Sequence, residues 1–179
     1  MIYLDNSATS GFKPSAVINE VENSLLNSAN PTRSGHKRAL AMGQKVFAVR
    51  ELVSNLFNLN NPQRVIFTKN CTEALNLGIL GTLKNGGHVI TTENEHNSVL
   101  RPLYHLYKNA QIELTILPVY SNGSISLVDL QNAIRKNTYL VVVNHVSNVT
   151  GGVNPIEQIG NFLAAKNILF MVDNAQGAG

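Results

Sequence analysis

The run Leu140-Val141-Val142-Val143 holds four apolar residues, three of them β-branched, with no polar residue among them. A strand with one wet face alternates apolar and polar residues, so this run predicts a strand buried on both faces. Comparable short runs lie at Val65–Thr68, His88–Thr92, Ile112–Val119, Tyr139–Val143 and Ile168–Val172. Helical patterns separate them at Thr72–Leu83, Val99–Lys108, Leu127–Arg135 and Pro155–Lys166. Strands alternating with helices predict an α/β fold, a mostly parallel sheet sandwiched by helices. Lys84-Asn85-Gly86-Gly87 and Ser121-Asn122-Gly123-Ser124 supply the turns.

Upstream, Pro14 suits a first helical turn, and Val17, Val21 and Leu25 follow at four-residue spacing. The polar stretch from Asn27 to Gly35 ends that helix. Ala39, Met42, Val46, Val49, Val53 and Leu56 then mark a longer helix, expected to pack its stripe on a core. No repeat, low-complexity tract or linker interrupts the chain, so residues 1–179 read as one continuous unit. The last strand ends in Asp173 and the sequence stops at Gly179 with no covering helix, so the expectation is an incomplete large domain from a truncated chain.

With 44% hydrophobic and 14% charged residues in 179, the chain can bury one sizeable core. Its net charge of +3 is scattered, apart from Arg33, Lys37 and Arg38, and no basic stripe suggests nucleic acid. Cys71 is the single cysteine, which excludes an intramolecular disulfide and suits a reducing compartment. Met1-Ile2-Tyr3-Leu4-Asp5 has no signal-peptide character, and no apolar stretch reaches the roughly 20 residues that span a bilayer. A cytoplasmic protein that does not enter the membrane is expected. The five histidines show no metal-ligand spacing with one another or with Cys71, so no metal site is expected. Gly78 and Gly81 lie in a helical pattern and do not make a dinucleotide fingerprint, and there is no Walker loop.

Open parallel sheets bind ligands beyond the carboxyl ends of their strands, and polar clusters follow most of these strands. After the first comes Lys69-Asn70-Cys71-Thr72-Glu73, where Thr72 reads either as a helix N-cap or as part of a phosphate cradle at a helix start. After the second comes Glu93 to Ser98, with His96 able to stack on a ring or shuttle protons, or simply to be solvated. Asn144 to Gly152 follows the fourth run, and Asp173-Asn174-Ala175-Gln176 the fifth. A phosphate cradle, a histidine, amides and a carboxylate on adjacent strand ends suit a flat phosphorylated heteroaromatic ring.

Five ordered segments make a resemblance specific: Tyr3–Thr9, Asn30–His36, Phe67–Asn76, Glu95–Val99 and Val172–Gln176 are similar to cysteine desulfurases of the class V aminotransferase group. The resemblance covers essentially the whole chain, and the stretch from Asn144 to Pro155 looks most like the desulfurase-like branch. It implies a fold type I enzyme using pyridoxal 5'-phosphate to remove sulfur or selenium from cysteine-type amino acids, leaving alanine. Implied cofactor contacts are Thr72 and the backbone near Cys71 at the phosphate, and His96 stacked over the ring as a catalytic group. Asp173 would pair with the pyridine nitrogen, and Gln176 with the ring oxygen. Asn148 would lie near that oxygen and the substrate carboxylate. Asn6–Thr9 and Asn30–Arg33 match positions at the family's active-site entrance and dimer contact. A homodimer and a sulfur-acceptor protein are the implied partners.

The family's cofactor-linking lysine follows the Asp-x-x-Gln strand in a Ser-x-His-Lys motif, and its sulfur-carrying cysteine, carboxylate-binding arginine and small domain lie further on. None of these falls within residues 1–179, so this stretch alone is expected to be inactive. Ser34-Gly35-His36-Lys37 imitates the lysine motif in spelling only, and Cys71 at the phosphate loop reads as a packed side chain rather than a nucleophile. The alternatives are another class V reaction, such as transamination or β-elimination, and a non-catalytic chain that binds phosphate or the cofactor.

Overall fold

The computed structural model describes residues 2–31 and 33–178; Met1, Thr32 of the Asn30–Arg33 segment, and Gly179 lie outside the described residues. The chain forms two compact units, residues 1–67 and 68–179, where the sequence reads as continuous.

The first unit holds helices α1 (Ser15–Asn27) and α2 (Lys37–Leu56) and a 3₁₀ turn at Pro62–Arg64. Pro14 sits at the N-cap of α1, one position earlier than expected. His36 caps α2, its Nδ1 accepting from the Ala39 N–H at 3.3 Å. Lys45 of α2 pairs with Glu20 of α1. Both helices fall where the periodicity places them, and the α2 stripe is only partly covered, with Met42, Val46 and Val53 half-buried. Val17, Val21 and Leu25 of α1 are exposed, as are Val49 and Leu56 of α2, and only Ala39 and Ser54 of α2 are buried. Among the described residues this unit has no strand, so the periodicity marks an apolar face without supplying a sheet to cover it.

The second unit contains the four strands found among the described residues: β1 (Gly87–Thr92), β2 (Ile112–Leu117), β3 (Thr138–Asn144) and β4 (Leu169–Asp173). All neighbours are parallel, in the order β2-β1-β3-β4. Helices α3 (Cys71–Gly81), α4 (Asn97–Lys108), α5 (Leu127–Ala133) and α6 (Ile156–Ala164) connect and cover them. The expected strand at Val65–Thr68 is absent. Val65 is extended and buried, but Ile66 and Phe67 are exposed and no described strand pairs with this segment, so high β-propensity finds no ladder.

The runs of the two central strands, β1 and β3, are buried on both faces, as expected, while those of the outer strands β2 and β4 are only partly covered. Val89, Leu140 and Val142 pack with Leu75 and Ile79 of α3 and Val99, Leu103 and Leu106 of α4. Their neighbours Ile90, Val141 and Val143 face the other way, onto Leu130 of α5 and Ile159 and Leu163 of α6. Burying a Leu, Ile or Val side chain stabilises by roughly 1.5–3 kcal/mol, so these two clusters dominate the unit's stability. Gly78 serves this packing: a Cβ there would lie 2.6 Å from Met171 Cε of β4. Beyond the sheet, the loop after β2 meets the loop after β3 at Gly123 and Gly152, where a Cβ on Gly152 would come within 2.3 Å of the Gly123 carbonyl oxygen.

Candidate functional site

The carboxyl ends of β1, β3 and β4 and the start of α3 surround a cavity of about 280 Å³. Cys71, Thr72, His96, Asn148, Asp173 and Gln176 all line it. Residues up to 105 positions apart in sequence are therefore brought together by the parallel topology, which puts every strand's carboxyl end on one side.

At the start of α3 the cap is Asn70, not Thr72: Asn70 Oδ1 accepts from the Glu73 N–H at 2.9 Å, and Glu73 Oε2 accepts from the Lys69 N–H at 2.7 Å. With capping done by its neighbours, the Thr72 hydroxyl is free to bond across to α4, 2.8 Å from Ser98 Oγ. The N–H groups of Cys71 and Thr72 have no intrahelical acceptor, which makes this end a place for an anion.

His96 is the N-cap of α4, its Nδ1 accepting from the Ser98 N–H at 3.1 Å and lying 2.7 Å from Ser98 Oγ. Asp173, the last residue of β4, is buried. Its Oδ1 accepts from the Ala175 N–H at 3.1 Å and from the Cys71 thiol at 3.5 Å, which leaves Oδ2 for a donor in the cavity. Burial, and then the Asp173 charge, push the Cys71 thiol up to about 11. Although the residue is exposed, its sulfur stays protonated at neutral pH, unlike a reactive cysteine. Asn148 and Gln176 are exposed side chains on the rim.

Sequence reasoning left three supporting residues without roles. Ser98 and Asn144 line the cavity. Asn144, which opens the polar cluster after the fourth run, is the final residue of β3; it pairs with Asp173 in the ladder, and its Nδ2 donates to the Asn94 carbonyl at 2.9 Å. The third is Glu95, buried beneath the loop before His96. Its Oε1 accepts from Thr92 Oγ1 at 2.7 Å and from the Asn144 N–H at 2.8 Å, tying β1 to β3, while Oε2 is buried without a partner. Burial pushes its carboxyl up to about 7, outweighing those two hydrogen bonds, with the Asp173 charge adding to the rise.

Asn6–Thr9, Asn30, Pro31, Arg33 and Lys37 belong to the first unit. Asn6 Oδ1 accepts from the Gly11 N–H at 2.9 Å and closes a local loop. Lys37 is the first residue of α2. Among the described residues, no group of three or more His, Cys, Asp or Glu side chains could hold a metal ion, and no helix is long and apolar enough to cross a membrane.

A parallel sheet with a helix start of free N–H groups and a buried carboxylate at its strand ends defines an α/β protein with a polar cavity there. The chain belongs to the class V aminotransferase family, whose model matches residues 2–179. It is 37% identical over 184 aligned residues to cysteine desulfurase IscS of Vibrio vulnificus (strain YJ016), and 34% to that of Shewanella woodyi; each alignment covers 99% of this chain and 45% of the relative. The chain thus spans just under half the length of these curated relatives. Among solved structures, a protein described as SspA in complex with cysteine superposes with a TM-score of 0.90 at 30% identity, over 99% of this chain and 51% of that one. The apo cysteine desulfurase of Thermococcus onnurineus NA1 gives 0.89 at 31%, over 99% and 44%.

Proposed function

We propose that residues 1–179 form the cofactor-holding part of a pyridoxal 5'-phosphate enzyme of cysteine desulfurase type, which removes sulfur or selenium from cysteine-like amino acids and leaves alanine. The observation that carries this reading is the convergence of six residues from four separate segments on one cavity whose donors and acceptors match the ligand's two ends. The phosphate suits the free N–H groups at the start of α3 and the Thr72 hydroxyl. The protonated ring nitrogen suits Asp173 Oδ2, and the ring oxygen suits Gln176 and Asn148. His96 would stack on the ring. When bound, the cofactor supplies an electron sink for a substrate carbanion. The chain's own contribution is orientation, through the strand ladder beneath Asn144 and Asp173, and electrostatics, through a carboxylate that keeps a bound pyridine nitrogen protonated.

The protonated Cys71 thiol supports assigning sulfur transfer to a cysteine elsewhere in the protein. The family's linking lysine, sulfur-carrying cysteine and small domain are assigned to regions outside these 179 residues, which are read as part of the large domain of a cytoplasmic homodimer working with a sulfur-acceptor protein. Transamination or β-elimination remains the second reading, since both need the same ring-holding residues and family membership alone does not separate them.

Cofactor titration followed by absorbance tests the assignment. The chain should bind pyridoxal 5'-phosphate saturably, and Asp173→Asn should weaken binding roughly tenfold or more, as expected when a charge-assisted bond is lost. Unchanged affinity in that variant would sink the Asp173 role. Borohydride reduction should give no single dominant lysine adduct; one on Lys37 would overturn the reading of that residue.

A further inference from the structure

Three side chains on the cavity wall form a continuous hydrogen-bonded row: Thr72 Oγ1 lies 2.8 Å from Ser98 Oγ, which lies 2.7 Å from His96 Nδ1. One further contact sets the direction of the whole row. The backbone N–H of Ser98 donates to His96 Nδ1 at 3.1 Å, so Nδ1 presents its lone pair and the neutral imidazole carries its proton on Nε2. At 2.7 Å, Ser98 Oγ can meet that lone pair only by donating to it. With its single proton committed, Ser98 can only accept from Thr72, so the Thr72 hydroxyl proton is turned toward Ser98 and a ligand meets only the lone pairs of Thr72.

An anion at the start of α3 needs a donor there, not lone pairs. We propose that Ser98 is a positioning residue that relays anion occupancy to the imidazole. When Thr72 turns its proton to the anion, Ser98 turns its own proton to Thr72, and His96 Nδ1 loses its hydroxyl donor and keeps only the Ser98 N–H. The row thereby couples the phosphate end of the cavity to the proton-accepting nitrogen of the histidine on its wall. By linkage, the coupling runs both ways: a His96 that draws the Ser98 proton back weakens the anion's hold on Thr72. The proposal rests on the phosphate reading given above.

The test uses inorganic phosphate as the probe, the full 179-residue chain and long-range ¹H–¹⁵N correlation of the His96 ring at fixed pH. Phosphate should shift the Cys71 and Thr72 backbone amides and move the His96 Nδ1 resonance toward that of a ring nitrogen lacking a hydroxyl donor. In Ser98→Ala, Nδ1 should already sit at the phosphate-bound position and stay there on addition. In Thr72→Val, the amides should still respond while Nδ1 does not, which separates the relay from the through-space field of the anion. Amide shifts with a motionless wild-type Nδ1, or an equal Nδ1 shift in Thr72→Val, would overturn the relay and leave the phosphate site standing. No amide response at all would overturn the phosphate site and the relay with it.

Discussion

The two ends of the β-sheet bury polar groups in opposite styles. Toward the amino ends, His88 of β1 is buried with both ring nitrogens 2.8 Å from threonine hydroxyls, Thr138 on β3 and Thr115 on β2. Outside it, Glu113 accepts from Arg135 and Asn137, so that side of the sheet is closed and satisfied. At the carboxyl ends, Glu95 is as buried but keeps an oxygen without a partner, and Asp173 keeps one facing the cavity. A buried polar network that is complete fixes a structure, whereas one left incomplete leaves a bond unmade: at Glu95 inside the fold, and at Asp173 beside the cavity. The difference separates scaffold from site within one sheet.

The comparison has a pH signature, and this is its largest test. Burial, with the Arg135 charge adding to it, pushes His88 down to about 4, so the folded state binds fewer protons than the unfolded one between about pH 4 and 6.5. His88 therefore makes stability rise with pH across that window, and its contribution is lost as pH falls toward 4. Glu95, raised to about 7, works the other way: the folded state holds a proton that the unfolded chain has released, so stability falls as pH rises from about 4.5 to 7. At about 1.4 kcal/mol per pH unit, each swing amounts to roughly 3 kcal/mol, and the two largely cancel where they overlap. Urea unfolding at stepped pH should show a shallow profile for the wild type. Glu95→Gln should unmask a profile that climbs toward pH 6.5, and His88→Gln one that descends toward pH 7. Profiles with the same slope in both variants would break the comparison.

A smaller effect is expected at Asn154, which joins the loops after β2 and β3. It is buried, its Oδ1 accepting from the Ile125 N–H at 3.0 Å and its Nδ2 donating to the Asn144 carbonyl at 2.9 Å. Asn154→Ala leaves both backbone groups without partners and should cost about 2 kcal/mol in chemical denaturation. Loss of cofactor affinity should accompany it, because Asn144 lines the cavity. The smallest effect concerns Cys71. Its thiol should alkylate far more slowly than a free cysteine at pH 8, and Asp173→Asn should speed it only several-fold, since burial contributes more to its raised pKa than the carboxylate does. A larger acceleration would mean that the charge dominates.

The scaffold was more legible in the sequence than the chemistry of its ligand-facing end. Unbroken runs such as Leu140–Val143 announce a strand covered on both faces because burial removes the need for alternation, and β1, β3 and β4 fall within a residue or two of expectation. The positions of Asp173 and His96 at the sheet's carboxyl end were legible because each follows a run that does form a strand, whereas Thr72 was reached through a strand that does not form. Val65–Thr68 misled because propensity measures a residue's fit to a ladder, and no described strand provides one. The stripes of α1 and α2 misled similarly: periodicity shows which face is apolar, not what covers it. Glu95 reads as an ordinary loop glutamate, since its burial depends on the Asn144 N–H, 49 residues away. The row through Ser98 was illegible too, because α3 and α4 must pack before Thr72 and Ser98 can meet.

The strand order also bears on how the sheet assembles. In β2-β1-β3-β4, β1 can pair first with β2, its next strand in sequence; β3 then joins the open side of β1, and β4 the open side of β3. Each new strand extends an existing edge, and none must wedge between two that are already paired. A chain emerging from the ribosome can therefore nucleate on β1 and β2 and grow outward in the order of synthesis, without undoing an earlier pairing.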